Sequence, residues 1–313
     1  MRNAYEQELL IQKTVERYIS PFAKVIALET RPIRLGLQSQ EVQRYKVTIQ
    51  VEKAECEVFL VTKKAELCER LVLGRLQAQS AQIPFNYTND VVTDIPDYIC
   101  MQDVDHDTEY SKMDIGIFEK QIPNALAHIH ASNYRLAKEL VWLPIADRSY
   151  ISRMLDKWWT PQWENAKRNE AFVEKFRDYI PEIEAVSASI VDEMEYVIND
   201  EPSHTLIHTD LHPGNVLCSS DNEVFFIDWA DAHYGSFYFD IATRFNSLNK
   251  AQIYREKLVE AYQIEVTHAH FVQQWRTATR YIGIRYIAWT FGKWKNSPST
   301  YQALNNYLEM IVR

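Results

Sequence analysis

Residues 204–242 leave this chain the fewest choices of fold. Most of the sequence after about residue 105 spaces its apolar residues as helices do, and this segment does not. It reads His204-Thr-Leu-Ile-His-Thr-Asp-Leu-His-Pro-Gly-Asn-Val-Leu, then Val224-Phe-Phe-Ile-Asp-Trp-Ala-Asp, then Phe239-Asp-Ile-Ala. Two apolar, strand-like pieces bracket a polar loop, and two of the chain's seven glycines, Gly214 and Gly235, fall here. Short strands inserted into a helical region, with polar residues gathered between them, point to an α+β chain whose loop carries chemistry.

The first hundred residues have a different texture. Residues 5–19 have near-helical spacing, and Lys24-Val-Ile-Ala-Leu-Glu-Thr, Arg44-Tyr-Lys-Val-Thr-Ile-Gln-Val and Glu57-Val-Phe-Leu-Val-Thr are β-branched or aromatic runs. The runs predict three antiparallel strands. Residues 65–78 return to helical spacing through Leu67, Leu71, Leu73 and Leu76, and Asp97-Tyr-Ile-Cys-Met-Gln predicts another short strand. One helix is expected over 114–131, a long helical stretch over 148–198, and two or three helices over the last fifty or so residues. The expected organisation is a β-rich part, 1–103, followed by a larger helical part, 104–313.

Composition limits the function classes. Hydrophobic residues at 46% and charged residues at 25% exclude a disordered chain. A formal net charge of −9 disfavours nucleic acid as a partner and suits a neutral or cationic one. Cys56, Cys68, Cys100 and Cys218 form no Cys-x-x-Cys pair, so neither a zinc site nor a redox motif is expected. Residues 1–17 are polar and charged, and no apolar run is long enough to span a bilayer; a soluble cytoplasmic protein without a membrane partner is expected.

The loop His208-Thr209-Asp210-Leu211-His212-Pro213-Gly214-Asn215 fits the pattern H-x-D-x-x-x-x-N. Phosphoryl transfer asks little covalent chemistry of a protein. It needs a carboxylate to orient and deprotonate the attacking hydroxyl, and oxygen ligands to hold Mg²⁺ against the phosphates. Asp210 fits the first task and Asn215, a hard neutral oxygen donor, the second. Thirteen residues after Asn215, Asp228 ends the apolar run Val224-Phe225-Phe226-Ile227 and suits a second magnesium ligand. Five loop residues and a turn would bring it beside Asn215. Taken singly, Asp210 reads as a turn residue and Asp228 as a strand-end cap; the joint arrangement carries the chemical reading.

From Leu206 to Leu217, followed by Ile227-Asp-Trp, the sequence resembles the aminoglycoside phosphotransferase and choline kinase-like family. Phe239-Asp240-Ile241-Ala242 is similar to the element that follows in that family, and Ala125-Leu-Ala-His-Ile-His130-Ala to its helix ending in a Leu-His-Ala step. The resemblance implies a two-lobed protein-kinase-like fold with a small antiparallel sheet in its N-lobe. It also implies an ATP- and Mg²⁺-dependent transfer to a small-molecule hydroxyl: aminoglycoside-like, amino alcohol or sugar. It implies that a lysine at the end of the third strand contacts the phosphates, for which alternation favours Lys63 over Lys64. A glutamate in the next helix pairs with it, Glu69 before Glu66. Tyr98-Ile-Cys-Met-Gln102-Asp-Val104 matches the hinge, where adenine would bond backbone atoms of Gln102 and Val104.

Some residues depart from the family pattern. Thr209 stands where the family has glycine, and threonine fits there if the backbone is in an ordinary region, because only φ > 0 favours glycine. Gly235-Ser-Phe replaces a Gly-Asp-Pro step, and the phosphate loop Gly36-Leu-Gln-Ser39-Gln-Glu has one glycine. A protein kinase is disfavoured: Asp228 is followed by Trp229, and eleven residues before Asp240 leave no room for a long activation segment. Trp158, Trp159, Trp163, Trp289 and Trp294 are read first as core and second as substrate contacts. The sparse phosphate loop motivates an alternative class, a catalytically silent kinase-fold binding protein.

Overall fold

The computed structural model describes residues 2–33, 42–90 and 97–312. In chain order, α1 (Arg2–Tyr18) precedes β1 (Lys24–Arg31), β2 (Val42–Val51) and β3 (Ala54–Lys64), then α2 (Leu67–Ala78) and β4 (Tyr98–Gln102). The four strands form one antiparallel sheet in the order β1-β2-β3-β4. Tyr45, Val47 and Ile49 alternate inward along β2, as a strand with one buried face requires. They pack with Leu10, Ile11 and Val15 of α1, Leu60 of β3, and Tyr98 and Cys100 of β4. The strands expected from the sequence all form, each within a few residues of its expected ends.

The remainder is mainly helical. It contains α3 (Ile115–Ser132), α4 (Arg148–Met154), α5 (Thr160–Lys167), α6 (Glu170–Phe176), α7 (Ile180–Glu193) and α8 (Glu195–Ile198). After β5 (His204–Ile207), β6 (Val216–Cys218), β7 (Val224–Phe226) and β8 (His233–Ser236) come α9 (Tyr238–Arg244), α10 (Leu248–Tyr262), α11 (His268–Ile287) and α12 (Pro298–Val312). The helical stretch expected over 148–198 is broken into short helices by local signals. Asp147 and Asn169 each cap a new start, accepting from Tyr150 N (2.8 Å) and Phe172 N (3.2 Å). Pro161 and Pro181 sit in first turns, where a missing N–H costs nothing.

The chain forms two compact units, residues 1–129 with 211–232, and residues 130–210 with 233–313. These differ from a division at 103/104. Three hydrogen bonds explain why 211–232 belongs with the N-terminal residues. Thr108 Oγ1 donates to the Cys218 carbonyl (2.8 Å), Gln121 Nε2 to that of Asn222 (2.7 Å), and Phe226 N to that of Gln82 (2.8 Å). In the second unit Trp159 stacks on Trp163 (4.9 Å), and both pack on Phe291. These two tryptophans are therefore core, whereas Trp158 and Trp289 are about half exposed, at 50% and 49%. No helix among the described residues is long and apolar enough to cross a membrane.

Candidate active site

In the first unit, the sheet carries Lys63 to the end of β3, paired in register with Ile99. Its Nζ donates to Glu69 Oε1 (2.8 Å), from the first turn of α2, and to Asp228 Oδ1 (2.5 Å). Glu69 is buried, while Lys64 and Glu66 are exposed. Burial pushes Lys63 down, but the charges of Glu69 and Asp228 outweigh it and hold the ammonium above its usual range, so it stays a cation. Asp228 arrives by way of the β6–β7 hairpin. Val216 pairs with Phe226, the loop between the strands is 219–223, and Ile227 N donates to the Asn215 carbonyl (3.0 Å). Asn215 and Asp228 thus leave the same end of one hairpin. Asp228 takes a left-handed conformation (φ 66°) that a short polar side chain tolerates.

This donor set fits magnesium. Asn215 and Asp228 offer hard oxygens, and Mg²⁺ is ordinarily held by one or two protein ligands, with phosphate and water completing the shell. Among the described residues no cluster of three or more His, Cys, Asp or Glu forms an all-protein cage.

Residues 102–106, from the last residue of β4 onward, are pinned from several directions. Gln102 N donates to the Phe85 carbonyl (2.9 Å) and Asp103 N to that of Phe59 (3.1 Å). The Gln102 N–H is thus already engaged within the fold. Arg44 Nε and Nη2 donate to the two oxygens of Asp103 (3.0 and 2.7 Å), and Nη2 also reaches Asp105 Oδ1 (3.0 Å). Arg31 Nη2 donates to the His106 carbonyl (2.8 Å), and the His106 ring stacks on Phe59 (4.2 Å). Burial raises Asp103; Arg44 opposes it, but Asp105 shares the same guanidinium, and Asp103 stays above the ordinary carboxylate value. Sequence reading missed this network. The available signal was a pair of carboxylates, Asp103 and Asp105, directly after an apolar strand. The expected phosphate loop, 36–41, lies outside the described residues.

In the second unit, β5 leads into His208-Thr209-Asp210. Asp240, fully buried at the start of α9, accepts from the backbone N–H of His208 (2.7 Å, Oδ2) and of Thr209 (2.8 Å, Oδ1). Its Oδ2 also meets His130 Nε2 (3.1 Å), and His130 Nδ1 meets Tyr254 Oη (2.7 Å). Burial alone would raise Asp240, but the hydrogen bond and charge of His130, with His208 beside it, hold it below the usual carboxylate range. The similarity noted around His130 and Asp240 therefore has a structural meaning: both residues fix the start of the loop.

The backbone at Thr209 corrects an expectation. Its φ is 64°, in the left-handed region that favours glycine, and the residue is fully buried. A β-branched residue is strained there, and the surroundings hold it: Asp240 takes its N–H and Arg285 Nη1 donates to its carbonyl (2.9 Å). Thr209→Gly removes about 1–2 kcal/mol of that strain but adds about 0.5–1 kcal/mol of chain entropy on unfolding. The variant is expected to unfold within about 1 kcal/mol of the parent in a urea titration.

Asp210 itself is half-buried, and Tyr286 Oη donates to its Oδ1 (2.5 Å). Arg285 and Tyr286 were not singled out in the sequence, where they show only helical spacing.

The fold described by these elements is shared with solved small-molecule kinases. Spectinomycin phosphotransferase APH(9)-Ia, in complex with ADP and spectinomycin, superposes with a TM-score of 0.55 at 16% identity, over 97% of this chain and 93% of that one. Choline kinase from Cryptosporidium parvum gives 0.59 at 11%, over 99% and 95%. Choline kinase LicA from Streptococcus pneumoniae gives 0.51 at 15%, over 97% and 99%. Likeness at these identities establishes the two-lobed, protein-kinase-like α+β fold. The sequence profile of the phosphotransferase enzyme family matches residues 96–275, more than half of the chain, and the chain belongs to that family. It is thus an enzyme of the small-molecule kinase class, with an alcohol as acceptor. No curated protein matches the chain.

Proposed function

We propose that this enzyme moves the γ-phosphate of ATP to a hydroxyl of an aminoglycoside-like compound, an amino alcohol or a sugar, with Asp210 as the base. Asp210 orients the acceptor hydroxyl and takes its proton as the oxygen attacks phosphorus. Lys63, held by Glu69, neutralises phosphate oxygens. Backbone atoms of Gln102 and Val104 bind the adenine. Asn215 and Asp228 would hold Mg²⁺, which when bound neutralises charge on the transferring phosphate. Residues 1–103 form the nucleotide-binding lobe and 104–313 the catalytic and substrate-binding lobe. The net charge of −9 favours a cationic acceptor, in a cytoplasmic enzyme without nucleic-acid or membrane partners.

One observation carries this reading: a single ammonium, Lys63 Nζ, joins a buried helix glutamate to the strand-end carboxylate of Asp228. A surface lysine has no reason to be held between two carboxylates at the end of a sheet. Bound ADP in the spectinomycin phosphotransferase structure supports a nucleotide as the donor.

Lys63→Met tests it. The variant is expected to bind Mg-ATP at least about tenfold more weakly by thermal-shift titration and to lose most transfer, since a charge-assisted contact to phosphate is removed. Unchanged nucleotide affinity would remove the assigned role. Chelation of divalent metal is expected to stop transfer in the parent enzyme, and added Mg²⁺ to restore it.

A further inference from the structure

We infer that Tyr286 and Arg285, consecutive residues in the last turn of α11, are positioning residues that fix the orientation of Asp210; this rests on Asp210 being the base. The contacts are divided between them. Tyr286 Oη holds the carboxylate itself, at Oδ1 (2.5 Å). Arg285 Nη1 holds the peptide that precedes it, through the Thr209 carbonyl (2.9 Å), and also meets Tyr150 Oη (3.1 Å).

The geometry excludes a casual contact. A phenol has one proton to donate, and that of Tyr286 is directed at Asp210. Burial and the Asp210 charge outweigh the Arg285 guanidinium and keep the phenol protonated far above its ordinary range, so it remains a donor. Arg285 is a buried guanidinium laid over the rings of Tyr150 (5.9 Å) and Tyr286 (5.2 Å), which removes most of its freedom. Tyr286 is steadied in turn by stacking on Tyr307 (6.3 Å between centroids). The Thr209 residue is therefore held at both ends, its N–H by Asp240 and its carbonyl by Arg285, in a conformation it would not adopt alone. Backbone direction is set by α9 and α11 together; side-chain direction is set by Tyr286. A base displaced by about 1 Å can lose about a hundredfold in rate, so such a clamp has a kinetic consequence.

The test compares Tyr286→Phe, Arg285→Lys and Asp210→Asn in the full chain, with Mg-ATP and a saturating concentration of whichever of an aminoglycoside, choline, ethanolamine, a sugar or homoserine the parent phosphorylates. Tyr286→Phe keeps the ring stack and removes one oxygen. It is expected to lower kcat by about tenfold to a hundredfold, with KM for ATP within about twofold of the parent and a parental unfolding midpoint. Arg285→Lys keeps the charge but loses the rigid fork, and the same split is expected. In an Asp210→Asn background, Tyr286→Phe is expected to add no further loss, because the side chain it orients no longer acts as a base. A kcat within about twofold of the parent for Tyr286→Phe, or an additive loss in the Asp210→Asn background, would overturn the inference. A joint fall in kcat, ATP affinity and unfolding midpoint would also overturn it, showing a merely structural role. Full transfer by Asp210→Asn alone would instead overturn the assignment of the base, which keeps the two failures distinguishable.

Discussion

Arg44→Met is expected to destabilise the protein by about 3–5 kcal/mol, the cost of leaving two buried carboxylates with only Arg31, 3.8 Å from Asp103 Oδ2, as a nearby cation. Arg44, Asp103 and Asp105 are 5%, 2% and 4% exposed, so water cannot replace the lost guanidinium. Tyr110 Oη donates to Asp105 Oδ2 (3.1 Å), but a phenol does not cancel a charge. Against a total stability of about 5–15 kcal/mol for a typical domain, this loss is large. Urea unfolding measures it, and a change below about 1 kcal/mol would show that the network is not the anchor proposed here. The pH dependence has a definite sign. Asp103 already binds its proton more readily folded than unfolded, so its burial costs stability as pH rises through the folded value and costs nothing below the unfolded one. Removing Arg44 enlarges that cost. The deficit of Arg44→Met is therefore expected to shrink as pH is lowered toward the carboxylate range. Because 102–106 is the segment expected to bind adenine, weaker Mg-ATP binding should accompany the loss of stability.

Asp210→Asn is expected to lower transfer by about 10²–10⁴-fold, the contribution of a positioned general base. The amide occupies the same volume and still accepts from Tyr286 Oη, so fold and ATP affinity are expected to persist. The loss should appear in kcat. If the rate were unchanged, the proton would have to leave by another route, and the reading of the loop would be wrong.

Some of this site is legible in the sequence, and some is not, for physical reasons. Strand alternation singled out Lys63 because a period of two puts it on the face of Phe59 and Val61 and puts Lys64 on the other. The β6–β7 hairpin was legible because five polar loop residues separate two apolar runs. Asp228 follows from it. Glu69 and Asp240 were found through motif spacing, but their contacts were not visible, since both act by meeting groups far along the chain. Arg44 was hidden in an alternating strand, where a buried cation cannot be told from an outward-facing one until its partners are placed. Tyr286 was hidden for a related reason: a tyrosine on an amphipathic helix is ordinary, and only the return of α11 toward β5 gives its hydroxyl a target. Thr209 was misread because φ is a property of the surroundings, which here override the residue's own preference. The short helices over 148–198 were blurred together because apolar spacing continues across their breaks.

Transfer of phosphate from ATP to a small-molecule alcohol is the activity expected of this chain. It is tested most directly by incubating the purified protein with Mg²⁺ and γ-labelled ATP against aminoglycosides, choline, ethanolamine, sugars and homoserine, with thermal-shift titration of Mg-ATP alongside. The expected result is saturable nucleotide binding together with label transferred to at least one acceptor class. Nucleotide binding with no label on any acceptor would contradict it and favour a catalytically silent kinase fold.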